Sequence, residues 1–257
     1  MDIKEARVKI VDFIADYIER SHAENGVVVG LSGGLDSAVT AALCVEALGV
    51  DRVKTISLPF RLSDPSSLED ARAIAQHIGT GLQTYDISDS VDAISAARNG
   101  GDRIRLGNIC ARVRMIFLYD ISAELSMLVA GTGNRTESFL GYTTLWGDMA
   151  CAFTPIGGLF KTQERHLAAE IGLPKWIIEK TPTADLWKDQ TDEGEMGIAY
   201  EAADKILHAM FDMDMTPDAL VAEGFSKESI ELVIERVEKY NFKRRMPAFP
   251  WISGLPI

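Results

Sequence analysis

Val27-Val28-Val29-Gly30-Leu31 is a short apolar run with no polar interruption, and Ser32-Gly33-Gly34-Leu35-Asp36-Ser37 follows it at once. The next stretch, from about Ser37 to Leu48, has the composition of a helix. An uninterrupted apolar strand suits a parallel sheet covered on both faces. The turn from such a strand into a helix is where α/β folds bind phosphates. Adjacent glycines let the backbone approach an anion closely. The unpaired amides and the dipole of the helix start favour negative charge there. Ser32 and Ser37 can donate hydroxyl hydrogen bonds. Asp36 adds negative charge, which a phosphate site alone does not call for, and a bound Mg²⁺ reconciles the two by bridging a carboxylate and phosphate oxygens. The loop is neither a Walker A sequence, which requires a Lys before Ser/Thr, nor GxGxxG. The alternative is a plain glycine turn in which Asp36 caps the helix.

The rest of the chain repeats the strand–helix alternation. Helices are expected over residues 3–18, 37–48, 66–78, 89–97, 106–126 and 162–171. Strands are expected over 27–31, 53–58, 82–87 and 127–130, with a fifth at 153–156. This alternation predicts a doubly wound α/β fold: a mainly parallel five-stranded sheet with helices on both faces. Residues 181–197 are polar, acidic and poorly periodic and read as an active-site loop. Three helices, 200–213, 217–223 and 227–241, make a helical C-terminal appendage, followed by an irregular tail from Met246. The expected organisation is one domain over residues 1–257, with a nucleotide-binding core at about 22–180 and a loop and helical region at about 181–257.

Composition narrows the classes of function. A net charge of −12 argues against a nucleic-acid surface. The start of the chain has no signal-peptide pattern, and no apolar run is long enough to span a bilayer. Cys44, Cys110 and Cys151 are far apart and odd in number, as are the scattered histidines, so neither a disulfide framework nor a zinc site is expected. Reduced thiols in a cytoplasmic protein are the simplest reading.

Ser-Gly-Gly-Leu-Asp-Ser resembles the pyrophosphate-binding loop of the N-type ATP pyrophosphatases, a superfamily with an adenine nucleotide alpha hydrolase-like fold. Its members include NAD synthetases, the synthetase domain of GMP synthetase, asparagine and argininosuccinate synthetases, and tRNA-thiolating enzymes. Further blocks resemble the NAD synthetases in particular. They are Gly107-Asn108 through Arg112, Arg114 and Met115 to Leu118-Tyr119; Gly131-Thr132-Gly133-Asn134 to Glu137; Gly141-Tyr142 to Gly147-Asp148; Lys161-Thr162; Pro182-Thr183 to Trp187; Gln190-Thr191-Asp192-Glu193; and Gly197 to Tyr200. They follow one another in order over nearly the whole chain.

The resemblance implies a ligase that forms a C–N bond. Deamido-NAD is amidated to NAD with ammonia through an acyl-adenylate, with ATP as co-substrate and AMP and pyrophosphate as products. Position by position, Gly30, Leu31, Ser32, Gly33, Gly34, Leu35, Asp36 and Ser37 would hold the triphosphate. Arg114, Thr132, Lys161 and Thr183 would join them at ATP. Asp36 and Glu137 would be ligands of Mg²⁺, and Asp36, Lys161 and Glu137 would carry the catalysis. Arg112, Tyr119, Leu145, Ala152, Phe242 and Lys243 would fall in the deamido-NAD site. The chain departs from the commonest pattern at three of these. Many members have Lys where Leu145 stands, Asp where Ala152 stands, and His where Phe242 stands.

The resemblance also implies a homodimer with the dinucleotide site near its interface. A separate glutaminase subunit is possible but not indicated. A tRNA thiolase would need catalytic cysteines and a basic surface, and a GMP synthetase subunit a different C-terminal block. A sensor that keeps the loop but has lost catalysis is the rival from another class. Taken without the resemblance, Arg112 and Arg114 read as surface ion pairs, Asp192 to Glu195 as a solvated acidic run, and Trp146, Trp176 and Trp187 as packing residues.

Overall fold

The computed structural model describes residues 2–183, 185 and 190–251. Four parallel strands, β1 (Val27–Gly30), β2 (Val53–Ser57), β3 (Leu82–Thr84) and β4 (Leu128–Ala130), lie in the order β3-β2-β1-β4. The chain winds outward from β1 through β2 to β3, then crosses back to place β4 on the other side of β1. The order therefore reverses between β1 and β4, and the crevice at their carboxyl ends is where an open α/β sheet accommodates ligands.

Among the described residues twelve α-helices accompany the strands. They are α1 (Ile3–Arg20), α2 (Leu35–Leu48), α3 (Pro65–His77), α4 (Ser88–Ala97), α5 (Arg103–Leu125), α6 (Arg135–Leu140), α7 (Lys161–Glu170), α8 (Lys175–Ile178), α9 (Asp192–Met196), α10 (Tyr200–Phe211), α11 (Pro217–Ala222) and α12 (Lys227–Lys239). Sequence-encoded caps set several starts. Asp2 and Glu5 form a capping box at α1, Asp64 precedes Pro65 at α3, and Asp102 caps α5.

The triple valine of β1 explains the layering. Val27 and Val29 join a core with Ile14 and Ile18 of α1, Val39 and Leu43 of α2, Ile74 of α3 and Leu167 of α7. Val28, between them, faces the opposite way, into a core with Ile56, Val91 of α4, and Cys110, Val113 and Ile121 of α5. Side chains alternate across a strand, so a strand buried on both sides must be apolar at every position. A third core gathers Tyr200, Ile206 and Leu207 of α10, Leu220 of α11 and Ile230 and Val233 of α12 around Leu140 and Phe160. The C-terminal helices thus seat on the two segments that carry Glu137 and Lys161.

The sheet has four strands where five were expected. Residues near Phe153 run beside β4 for a single parallel bridge to Ala130. It is flanked by Ala152 N–H to Val129 O at 2.9 Å and Gly131 N–H to Phe153 O at 2.8 Å. Pro155 cannot donate to a ladder, and the chain turns immediately, so pairing stops there. α6, α8 and α9 were not anticipated; all three are short, and α9 falls within the stretch 181–197 expected as a loop. Residues 246–251 carry no regular structure. Trp187 and residues 252–257 lie outside the described residues.

Candidate active site

One cleft of about 920 Å³ opens over the carboxyl ends of β1 and β4. Gly30, Leu31, Ser32, Gly34, Leu35, Asp36 and Ser37 line it, as do Arg114, Thr132, Glu137, Lys161, Thr183 and Lys243. Gly33 lies behind that lining. Its φ is +82°, and a Cβ there would sit 2.1 Å from Ser67 O, so the loop presses against the start of α3 at the one position that only glycine fills.

The two serines organise the loop. Ser37 Oγ accepts from Ser32 N–H at 3.2 Å and donates to Gly34 O at 3.0 Å, while Ser32 Oγ accepts from Gly34 N–H at 3.2 Å. Gly34 is the N-cap of α2, so Asp36 sits inside the first turn and does not cap the helix. The plain-turn alternative fails on that point. The Asp36 carboxylate instead reaches across the switch point. Oδ1 accepts from Asn134 Nδ2 at 2.7 Å, and Oδ2 pairs with the Lys161 ammonium.

Asn134 and Glu137 form a capping box at α6. Glu137 N–H donates to Asn134 Oδ1 at 2.9 Å and Asn134 N–H to Glu137 Oε2 at 3.2 Å. The box serves two ends: it starts the helix and turns both side chains toward Asp36. Lys161, the first residue of α7, is 1% exposed and lies within the same group. Glu164, one turn on, is fully buried, with Oε2 3.3 Å from Lys161 Nζ. The Tyr200 ring centroid lies 5.8 Å from the same ammonium.

Electrostatics follow from that crowding. Burial drives the Asp36 carboxyl up, and Lys161, with Glu164 and Asn134, outweighs it, leaving Asp36 below the usual range. Burial and then the Asp36 charge raise Glu137 well above its ordinary value. Burial and Asp36 do the same to Glu164. Burial alone would lower Lys161, but Asp36, Glu164 and Glu137 raise it. Several acids thus share one buried cation. Asp36 and Glu137 both line the cleft, the Asp36 charge raises the proton affinity of Glu137, and carboxylate oxygens are the donors a hard cation takes.

Among the residues expected at the second nucleotide, Lys243 alone lines the cleft, its Nζ donating to Gly141 O at 2.8 Å and Thr143 O at 2.6 Å. Arg112 is exposed and donates to Leu145 O at 3.1 Å. Tyr119 is 39% and Phe242 59% exposed. Leu145 and Ala152 are partly buried outside the lining, and Ala152 O accepts from Tyr17 Oη at 2.7 Å. In this chain those five do not converge with the ATP-side residues.

Other expectations change. Arg114 is not a surface ion pair: its Nε donates to Leu58 O at 3.0 Å from within the cleft. The acidic run is not simply solvated. Asp192 is buried and accepts from Tyr200 Oη at 3.1 Å, Glu193 accepts from Tyr200 N–H at 2.9 Å, and Glu195 accepts from Tyr142 Oη at 2.6 Å. Trp146 and Trp176 are 47% and 42% exposed rather than packed. Sequence reasoning placed Asn134 in a block without giving it a role, and passed over Glu164 and Lys180. Lys180 Nζ donates to Gly33 O at 2.8 Å and pairs with Asp70 at 2.6 Å. Helical spacing from Lys161 was the available signal for Glu164.

The sequence profile of one family, described as NAD synthase, matches residues 6–247. The NH(3)-dependent NAD(+) synthetase of Fusobacterium nucleatum subsp. nucleatum is 38% identical over 247 residues, covering 96% of this chain and 95% of that one. An NH3-dependent NAD synthetase from Campylobacter jejuni, solved with nitrate ion, superposes with a TM-score of 0.83 at 33% identity, covering 98% and 100% of the two chains. An NMN synthetase from Francisella tularensis superposes with a TM-score of 0.86 at 30% identity, covering 97% and 99%. With the loop, the Asn134–Glu137 box and Lys161 meeting at the switch point of its sheet, and with a family match over nearly all its length, this chain belongs to the NAD synthase family.

Proposed function

We propose that this chain amidates the nicotinate carboxylate of deamido-NAD with ammonia and converts ATP to AMP and pyrophosphate. The observation that supports it most is the meeting of Asp36, Asn134 and Lys161 across the β1/β4 crevice, beside a loop shaped for phosphate. A carboxylate does not react with ammonia in water near neutral pH and needs a leaving group. In the first step a carboxylate oxygen attacks the α-phosphorus, and the bond from that phosphorus to the bridging oxygen breaks. Pyrophosphate leaves and an acyl-adenylate forms. In the second step ammonia attacks the acyl carbon, the C–O bond to AMP breaks, and the nitrogen loses a proton to solvent.

The first step brings anions together, so the protein's part is positioning and charge neutralisation. The loop amides and Ser32 and Ser37 bind the triphosphate. Lys161 and Arg114 face its charge, and Thr132 and Thr183 orient it. Asp36 and Glu137 would hold Mg²⁺, which supplies neutralisation of the phosphate oxygens when bound. No protein nucleophile is required.

The second nucleotide site is completed by a second copy of the chain. Arg112, Ile116 and Tyr119 share one exposed stripe of α5 at helical spacing, with Ile116 56% and Tyr119 39% exposed. A homodimer that covers this stripe would bring Arg112 and Tyr119 into a site. Ammonia is taken up directly. The chain works in the cytoplasm, in keeping with its free cysteines; among the described residues no helix is long and apolar enough to cross a membrane.

A second reading, amidation of the mononucleotide, is favoured by the likeness to the Francisella NMN synthetase and by uncharged Leu145, Ala152 and Phe242. Comparing kcat/KM for nicotinate mononucleotide and deamido-NAD, each with ATP, Mg²⁺ and ammonium, separates the two. A dinucleotide preference supports the first reading, and a preference of tenfold or more for the mononucleotide overturns it (roughly 1.4 kcal/mol).

A further inference from the structure

Glu164 is the least explained charged group in the cleft region. It is fully buried, and neither carboxyl oxygen has a hydrogen bond of good geometry among the described residues. It meets two groups: the Lys161 ammonium at 3.3 Å, one helical turn away on α7, and the Asp36 carboxyl, which bears on it from α2. A buried carboxyl without hydrogen bonds is destabilising. A leucine of similar size would suit the neighbouring core of Leu167 and Ala168 better. Some other role has to account for a carboxyl there.

Lys161 is confined from three directions: by Asp36 from α2, by Glu164 from its own helix, and by the Tyr200 ring. The Asp36 contact is incompatible with full use of that carboxylate elsewhere. Under the function proposed above, Asp36 turns to the cation, and its hold on Lys161 weakens at the moment when the ammonium must be fixed.

We infer that Glu164 is a positioning residue that anchors the Lys161 ammonium when Asp36 is engaged by the metal and phosphates. It touches neither substrate nor the reacting atoms. It acts through Lys161, keeping Nζ aimed at the charge that builds up as the carboxylate attacks. This rests on the assignment of Lys161 and Asp36 to ATP chemistry.

The test is steady-state NAD synthesis together with thermal unfolding for E164Q, E164L, K161M and the E164Q/K161M double variant. Loss of a positioning partner typically lowers activity about 10- to 100-fold. We expect that drop in kcat for E164Q and E164L, with KM for ATP changed by less than about threefold. The melting temperature should be unchanged or raised in E164L, where a poorly satisfied buried carboxyl gives way to an apolar side chain while Lys161 keeps its pair with Asp36. The double variant should be no slower than K161M, since the two side chains act as one unit. Unchanged kcat in E164Q and E164L would overturn the inference. So would a parallel loss of stability and activity, or effects of the two sites that multiply. If K161M itself kept near-normal turnover, the assignment of Lys161 would fail, a result distinct from failure of Glu164.

Discussion

The two halves of the cleft are built differently. On the ATP side, Asp36, Asn134, Glu137, Lys161 and Glu164 come from three segments far apart in sequence. They are tied together by an N-cap, a capping box and buried ion pairs. On the other side, Arg112, Tyr119 and Phe242 lie at the surface, and only Lys243 faces inward. Charge that must be held against repulsion is fixed by the fold of one chain. Under the function proposed, recognition of the second nucleotide would fall on an outward face, where a partner copy would complete it.

Substitutions can break that contrast. The largest effect is expected for D36N. Removing a contact to developing charge costs about a hundredfold or more in rate, so pyrophosphate release should fall by at least that much. Near-normal turnover would take Asp36 out of the mechanism. Next is G33A, which forces a Cβ against Ser67 O at a positive φ. Strain of this kind costs about 1–3 kcal/mol and should appear as a lowered melting temperature with weakened ATP binding. An unchanged melting point would mean that the loop is not pressed on α3.

On the outer side, R112A should raise KM for deamido-NAD about tenfold, equivalent to roughly 1.4 kcal/mol, and leave KM for ATP nearly untouched. I116E should shift the chain toward monomer in sedimentation. If I116E stays dimeric, the α5 stripe is not the interface.

The smallest effect concerns pH. Burial, then Asp36, raises the Glu137 carboxyl in the folded chain. The unfolded chain ionises this group first, so its contribution to stability is fully present at low pH and is lost as pH rises through the folded value. The melting temperature of the ligand-free protein should therefore fall less steeply in E137Q than in the parent as pH rises above the ordinary carboxylate range. Equal slopes would mean that Glu137 is not held protonated by its surroundings.

The same contrast explains what could be read from the sequence. The phosphate loop is contiguous and constrained by backbone geometry, so Ser32 to Ser37 stood out between an apolar strand and a helix. The alternation of strands and helices gave the doubly wound sheet for the same reason. The fifth strand was overestimated because Phe153 to Ile156 looks extended, yet Pro155 ends the pairing after one bridge. The helix at Arg135 was missed because six residues are too few to show periodicity; its capping box was the signal. Glu164 and Lys180 were passed over because a single charge on a helix or turn is normally solvated, and only tertiary packing brings these two to the loop and to Lys161. The surface position of Arg112 and Tyr119 could not be read from a block pattern, since a motif gives residue types and not the face they occupy.

The most direct test of the central claim is product analysis of the purified chain supplied with deamido-NAD, ATP, Mg²⁺ and ammonium. The account predicts NAD, with AMP and pyrophosphate formed in equal amounts to it. ATP binding without NAD, or ADP and phosphate in place of AMP and pyrophosphate, would contradict it.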